Sequence, residues 1–421
     1  MSQSFYSREN FNLGSKHFII EPLRQRFLEQ RLRTVFESFG FREITTPTIE
    51  LGNSYSNCDF GNTGSIYHFT DKSGHVMFLR PDLTTSIAKL VATHFRFLEK
   101  PIRLYYIANS FLSDKDYMER EFYHAGAEII GSNTREADVE MMIMAIEALQ
   151  KIGITEFKMD IGHVAFWEYI FREAEFKVDK IITLYNLLRN KNFTSFIKEA
   201  TLLSIPDDLR EVINNAPFLR GKFDLLNSLG KISKYKEMNI LLDSITDTCT
   251  VLDEYGVGDY FTLDFSLVGD LGYYSGYIFE FYTKDMGSPV GSGGRYDCLL
   301  GHFGYECPAT GFSINIGKII KALEKKQSLT MAGEIPDFFI TKTHYSPKIL
   351  FKVARELRRK GFLVEMEITE KTLDESLNYA RKRDIKSVII LGTNEKNEIQ
   401  ILLKNMETDD DTIIDFDEFL L

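Results

Sequence analysis

The residues with chemistry to offer cluster between Leu263 and Gly317. Tyr273 and Tyr274 bring two phenols, and Arg295 with Tyr296 brings a guanidinium and a third phenol. Between the two pairs lies Gly291-Ser-Gly-Gly-Arg-Tyr-Asp297, a stretch dense in glycine that reads as a turn. Glycine has no Cβ, so a backbone built from it bends tightly or lets a ligand approach closely. The flanking runs, Tyr273–Thr283 and Pro308–Ile316, read as strands. Phenols and a guanidinium beside such a turn describe a small-molecule pocket on an antiparallel sheet. A glycine-rich hairpin with aromatic core residues fits the same stretch.

The chain has 421 residues, enough for two or three domains with real cores. Its hydrophobic content of 44% and charged content of 26% are those of an ordinary globular protein. A net charge of −11 argues against broad nucleic-acid binding, because a polyanion is held by positive charge. The four cysteines, Cys58, Cys249, Cys298 and Cys307, are scattered without a CxxC. That spacing argues against a metal site or a disulfide framework and points to a reducing cytosol. The N-terminus lacks the apolar core of a signal peptide, and no run approaches a membrane span.

The elements that must position the pocket follow in chain order. Residues 21–40 carry apolar positions at helical spacing, and Gly40 supplies the stop. Phe41–Glu50 is β-rich with a proline that suits a strand end. Tyr67–Thr70 and Val76–Leu79 read as a hairpin, and a helix opens near Asp82 and runs through Ala92. There Asp and Thr are ordinary helix caps. Pro101–Tyr106 and Glu121–Gly131 read as two long strands. An amphipathic helix over 135–151 and a strand over Glu156–Ile161 come next. From Ala165 to about Gly256 the pattern is almost wholly helical and reads as an insertion. Glu324–Pro336 is a polar linker without periodicity. Beyond it, strands and helices alternate as in a small α/β domain. Its helix Ile349–Arg359 carries Lys352, Arg355, Arg358 and Arg359, which read as a solvated face.

These blocks resemble the histidyl-tRNA synthetases of class II. LVGDLGYYSGYIFE and GSGGRYDCLL…PATGFSINIGK are similar to that family's LVRGLDYYTGTVFE and GGGRYDGL…PAxGFAxGxER. The helix, strand and proline over 21–50 resemble the motif that builds the family's dimer interface. The segment PIRLYYIANSFLSDKDYMEREFYHAGAEIIG resembles its second motif, and the last domain resembles its anticodon-binding domain. The resemblance covers nearly the whole chain. It implies an α+β fold: an antiparallel sheet with flanking helices and a helical insertion over 1–323, a linker over 324–336, and an α/β anticodon-binding-like domain over 337–421.

The resemblance also implies site roles. Asp82 and Thr84 stand where the family holds the amino group of histidine, and Glu128 where an acid faces the imidazole. His124 replaces a glutamine, and Tyr273, Tyr274 and Tyr296 line the pocket. Three of the family's arginines are missing: their positions are Leu112, Gly269 and Lys318. The loop after Leu112 is about two residues shorter than the family's. A pocket kept while its phosphate-gripping charges are lost implies binding without adenylate chemistry. The RPDLT form of the third block and the LVGDLxYYxGxxFE form of the fourth resemble one branch of the family, the regulatory subunits of ATP phosphoribosyltransferase. This branch implies no catalytic residues, no cofactor and no metal. It implies histidine as ligand, and a homodimer inside a hetero-oligomer with a short-form catalytic subunit. Most members of that branch lack the last domain, so its presence here is a departure. A divergent synthetase and an RNA-binding pseudo-synthetase are the alternatives.

Overall fold

The computed structural model describes residues 8–52, 66–112, 120–202, 205–222, 225–226, 235–269, 274–325, 335–342, 347–369, 371–393 and 399–415. The chain divides into two compact units, residues 1–329 and 330–421.

Among the described residues, twelve strands belong to the first unit. They are β1 (Arg42–Glu43), β2 (Ile49–Leu51), β3 (His68–Thr70), β4 (Val76–Leu79), β5 (Ile102–Phe111) and β6 (Glu121–Ile130). After these come β7 (Phe157–His163), β8 (Arg220–Gly221), β9 (Phe261–Asp264), β10 (Tyr277–Thr283), β11 (Gly291–Arg295) and β12 (Ala309–Asn315). Nine of them form one sheet in the order β1-β5-β6-β12-β11-β10-β7-β9-β8, antiparallel from β5 through β7. The remaining three form a small sheet in the order β2-β4-β3.

Side chains on a strand alternate between faces, so register decides which residues meet. In the large sheet Tyr105, Ala127, Phe312, Gly293, Phe279 and Ile161 lie in one row across six strands. That face is covered by helices, and Phe36 of the helix Arg8–Ser38 packs on Tyr105 and Phe312 with centroids 5.3 and 6.0 Å apart. The helix Arg135–Lys151 is buried at eleven positions, on nearly all sides rather than along one stripe. It lies between the sheet and two further helices, Arg8–Ser38 and Lys236–Glu254. The other face carries the neighbouring row: Leu104, Glu128, Gly311, Gly294, Ile278 and Gly162.

The glycine-rich segment expected as a turn is a strand, β11, in the middle of the sheet. Its glycines answer to crowding. A Cβ on Gly293 would lie 2.5 Å from both the Phe279 ring and the Gly311 carbonyl, and one on Gly291 would lie 2.6 Å from the Ser313 carbonyl. The first helix starts at Arg8, well before residue 21, and passes Pro22. The insertion is helical, with Val164–Glu173, Val178–Arg189, Phe193–Thr201, Asp207–Asn215 and Lys236–Glu254. It also adds β8 to the edge of the sheet, and its Trp167, Phe171 and Phe196 join the sheet's own hydrophobic core.

The second unit is a five-stranded sheet flanked by the helices Pro347–Arg359 and Leu373–Lys382. Its strands are β13 (Phe338–Lys342), β14 (Val364–Met366), β15 (Ser387–Thr393), β16 (Ile399–Asn405) and β17 (Asp411–Asp415), in the order β14-β13-β15-β16-β17. Alternate residues of β13 feed two separate cores, Ile340 in one and Phe339 in the other. The last strand, β17, has no counterpart among the expected elements. The helix Ile316–Lys325 runs two residues into the segment expected as a linker, and residues 326–334 lie outside the described ones.

Candidate ligand-binding site

Glu128 of β6 lies on the sheet face opposite the helices Arg8–Ser38 and Arg135–Lys151 and is 1% exposed. The room for its carboxyl comes from the next strand, where a Cβ on Gly311 would sit 1.5 Å from Oε2. Thr84 donates its hydroxyl to Oε1 at 2.8 Å, and the Tyr296 hydroxyl donates to Oε2. Burial raises the Glu128 pKa from 4.5 to about 8, against those two bonds, with the charge of Asp82 adding to the rise. Tyr106 of β5 completes the cluster. Its hydroxyl bonds with Ser313 and Thr84, and burial first, then the Glu128 charge, pushes its pKa well up. The group is an acid poised near neutrality, ringed by three hydroxyls on rigid strands and one helix start.

Asp82 does the work of a cap. It accepts from the Thr85 backbone N–H at 2.8 Å and from the Thr85 hydroxyl at 2.7 Å, opening the helix Leu83–Leu90. The helix ends sooner than Ala92, and one turn of wider helix, Val91–Phe95, follows. His124 shares the face of Glu128, four residues earlier on β6. Its Nδ1 lies 3.2 Å from the Ser313 hydroxyl, and burial, with Lys318 nearby, lowers its pKa to about 4. Tyr274 is half-buried, and its ring covers Gly269 and Gly294: a Cβ would lie 2.4 Å from the ring at the first and 2.8 Å at the second. Tyr273 lies outside the described residues.

Arg295 leaves the pocket. It follows Gly294 on β11, so it points to the helix-covered face, where Asp138 takes Nε at 3.0 Å and Nη2 at 2.9 Å. The carbonyls of Ser132 and Thr134 and the Asp297 carboxylate take the rest of its donors. Arg80 is likewise structural, donating to the Asn109 and Thr46 carbonyls. Thus Thr84, Glu128 and Tyr296 meet directly, Asp82, His124 and Tyr274 lie beside them, and the guanidinium of Arg295 does not take part. The sequence reading missed Tyr106 and Ser313. Their signal was strand alternation, since both share the row of Gly126.

The positions of the three missing arginines are filled by other structure. The Leu112 backbone N–H bonds to the Arg120 carbonyl at 3.2 Å, continuing the β5–β6 pairing. Gly269 lies under the Tyr274 ring. Lys318 donates Nζ to the Ser288 hydroxyl at 3.0 Å and to the Pro289 carbonyl at 2.8 Å. Among the described residues, no group of three or more His, Cys, Asp or Glu is placed to hold a metal, and no helix is long and apolar enough to cross a membrane.

A family model described as Histidyl-tRNA synthetase matches residues 21–319, and one described as Anticodon binding domain matches residues 340–420. An ATP phosphoribosyltransferase regulatory subunit of Ruminiclostridium cellulolyticum is 31% identical, covering 94% of this chain and 95% of the relative. One from Acetivibrio thermocellus is 33% identical over 90% of this chain and 91% of the relative. A crystal structure described as an ATP phosphoribosyltransferase regulatory subunit/histidyl-tRNA synthetase from Bacillus halodurans superposes with TM-score 0.77 at 27% identity, covering 87% of this chain and 93% of that one. A Nostoc histidyl-tRNA synthetase shares the fold, with TM-score 0.79 at 22% identity over 94% of each chain. A regulatory subunit of Clostridium botulinum matches over 97% of this chain and 98% of its own, a span that includes the last domain. The chain belongs to the histidyl-tRNA synthetase family, on the branch of the ATP phosphoribosyltransferase regulatory subunits.

Proposed function

We propose that this chain is the non-catalytic regulatory subunit of ATP phosphoribosyltransferase. It joins a short-form catalytic subunit, raises its activity and makes the first step of histidine biosynthesis respond to histidine. The observation that carries this reading is a recognition cluster without phosphate-gripping charge. Thr84, Tyr106 and Tyr296 stand around Glu128, while Leu112, Gly269 and Lys318 replace three arginines. Adenylate formation needs fixed positive charge against phosphates, and each lost group of that kind costs about 100- to 1000-fold in rate. Lys318 keeps a charge but lacks the planar fork of arginine, and it serves two protein oxygens.

Histidine suits the cluster. The Glu128 carboxyl accepts an imidazole N–H, and Thr84 and Asp82 receive the ammonium. His124 and Tyr274 complete the proposed wall. A second copy of the chain fits the small sheet. Ile49, Leu51 and Phe69 are 48%, 53% and 42% exposed, and they point away from Glu50, which bonds inward to Ser86 and Lys89. An apolar sheet face of that kind favours burial against its own copy, giving a homodimer within the larger complex.

The test mixes the purified chain with the short-form catalytic subunit from the same cell and follows phosphoribosyl-ATP formation. Activity is expected to rise on mixing and to fall with histidine, with a coupling of about 5- to 150-fold in affinity. Histidine-dependent pyrophosphate exchange into ATP is expected to stay at background. Robust exchange would restore the divergent synthetase and remove this reading.

A further inference from the structure

The surroundings of Glu128 leave its charge uncancelled. Strand register sets Leu104 of β5 on one side of it and Gly311 of β12 on the other. Leu104, Tyr106 and Tyr296 belong to a buried apolar cluster that also holds Leu83 and Ile130. Each carboxyl oxygen has one hydroxyl donor, Thr84 on Oε1 at 2.8 Å and Tyr296 on Oε2, and both donors are neutral. Among the described residues, the charge that acts on Glu128 is that of Asp82, a second acid at the start of the helix Leu83–Leu90. His124, on the same strand, is kept neutral by burial and by Lys318 nearby. Lys318 itself turns its amine to Ser288 and Pro289. On β5 the Tyr106 hydroxyl is held in its neutral form by burial, and on β12 Ser313 carries no charge.

A carboxylate buried without a positive partner is costly, so such a group keeps its proton until a cation stands beside it. The free pocket therefore holds a proton on Glu128, in line with the rise of its pKa to about 8. Thr84 and Tyr296 occupy one position on each oxygen, which leaves the carboxyl proton for a ligand. An imidazole ring meets that proton with a basic nitrogen. Its own pKa of about 6.5 lies close enough for the proton to cross between them. A pair of opposite charges joined by a hydrogen bond is about twice as strong as a neutral one.

We infer that the pocket holds its ligand's ring as a cation, using a proton that Glu128 hands over. This rests on the histidine-pocket reading above. The carboxyl O–H bond breaks, an N–H bond forms at the bare ring nitrogen, and a carboxylate and an imidazolium remain, joined by that proton. Thr84 and Tyr296 keep their bonds, now to a charged acceptor, and Asp82 adds attraction for the imidazolium. Glu128 thus selects a ring that takes up a proton near neutrality. The bound pair holds one proton. Free, the two groups hold two protons below pH of about 6.5, one from there to about 8, and none above. Histidine affinity is then level between those values and falls about tenfold per pH unit on either side.

Calorimetry of histidine binding to the full-length chain, alone and with its catalytic partner, counts the protons exchanged when run in buffers of different ionisation enthalpy. No net exchange is expected at about pH 7, release of most of a proton at about pH 5.5, and uptake of most of a proton at about pH 8.5. Glu128→Gln is expected to lose most of the uptake and keep the release, because the ring then binds neutral. Nitrogen-15 spectra of labelled histidine on the wild type at about pH 7 are expected to show both ring nitrogens protonated. Release of about one proton at that pH would overturn the inference, since a neutral ring would then face a carboxylate. A bound ring with one bare nitrogen would overturn it as well. In both cases histidine still binds, and the pocket reading stands. A wild-type chain that binds no histidine at any of the three pH values overturns the pocket reading itself, and this inference with it.

Discussion

Glu128 is held as a neutral acid at a pH where exposed carboxyls are charged. Its pKa moves from 4.5 to about 8 because burial penalises the carboxylate more than Thr84 and Tyr296 stabilise it. Between these values the folded state binds a proton that the unfolded chain releases. The stabilisation is present in full below pH 4.5 and is lost as pH rises through 8. His124 and His163, both lowered to about 4 by burial, act with the opposite sign between pH 4 and 6.5. The window from 6.5 to 8 therefore isolates Glu128 from them. There the wild type is expected to lose about 1.4 kcal/mol per pH unit relative to Glu128→Gln, read from denaturant melts. The same substitution is expected to weaken histidine in calorimetry. Equal binding by both proteins would remove Glu128 from the site. The position of Glu128 was legible from its motif, but its proton was not, since charge state depends on burial that a motif does not carry.

Elements set how much space each site group has. Strand β12 passes Glu128 at Gly311, where a Cβ would stand 1.5 Å from Oε2. Gly311→Ala must push the carboxyl off Thr84 and Tyr296. A cost of about 1–3 kcal/mol in denaturant melts is expected, with loss of measurable histidine binding. Full binding in the folded variant would place the ligand elsewhere. The start of the helix Leu83–Leu90 poses a different question, because Asp82 both caps it and carries a charge beside Glu128. Asparagine caps as well as aspartate. Asp82→Asn is thus expected to keep the melting temperature while weakening histidine. If affinity is unchanged, Asp82 is a cap alone. Periodicity made these strands and helices visible in the sequence. The glycine-rich segment misled because glycine density marks a tight turn and a crowded strand alike, and only the neighbours Phe279 and Gly311 separate the two.

At the scale of the molecule, the small sheet β2-β4-β3 carries the proposed dimer contact. Its outward residues Ile49, Leu51 and Phe69 are apolar and exposed, whereas Glu50 between them is buried on the opposite side. The double variant Ile49→Asp with Leu51→Asp is expected to convert a dimer into monomers, read by light scattering after size exclusion. A dimer of unchanged mass would move the contact to another face. The two lesions lie outside the pocket cluster, so histidine binding to the monomer reports whether the pocket is complete within one chain.

Much of this architecture was determined by the order of residues alone. Helical spacing, strand alternation and blocks shared with a known family sufficed for the sheet, the insertion and the last domain, because burying apolar periodicity leaves few arrangements. Sequence also placed Thr84, Glu128 and Tyr296 in one site. Tertiary structure decided the rest. Arg295 and Tyr296 are neighbours in the chain, yet the alternation of β11 sends the guanidinium to Asp138 and the phenol to Glu128. Tyr106 enters the site only through the register of β5 against β6. Arg189 reaches Gly269 from 80 residues away because the insertion folds over the sheet. Such meetings depend on register and packing between distant segments, which no local pattern records.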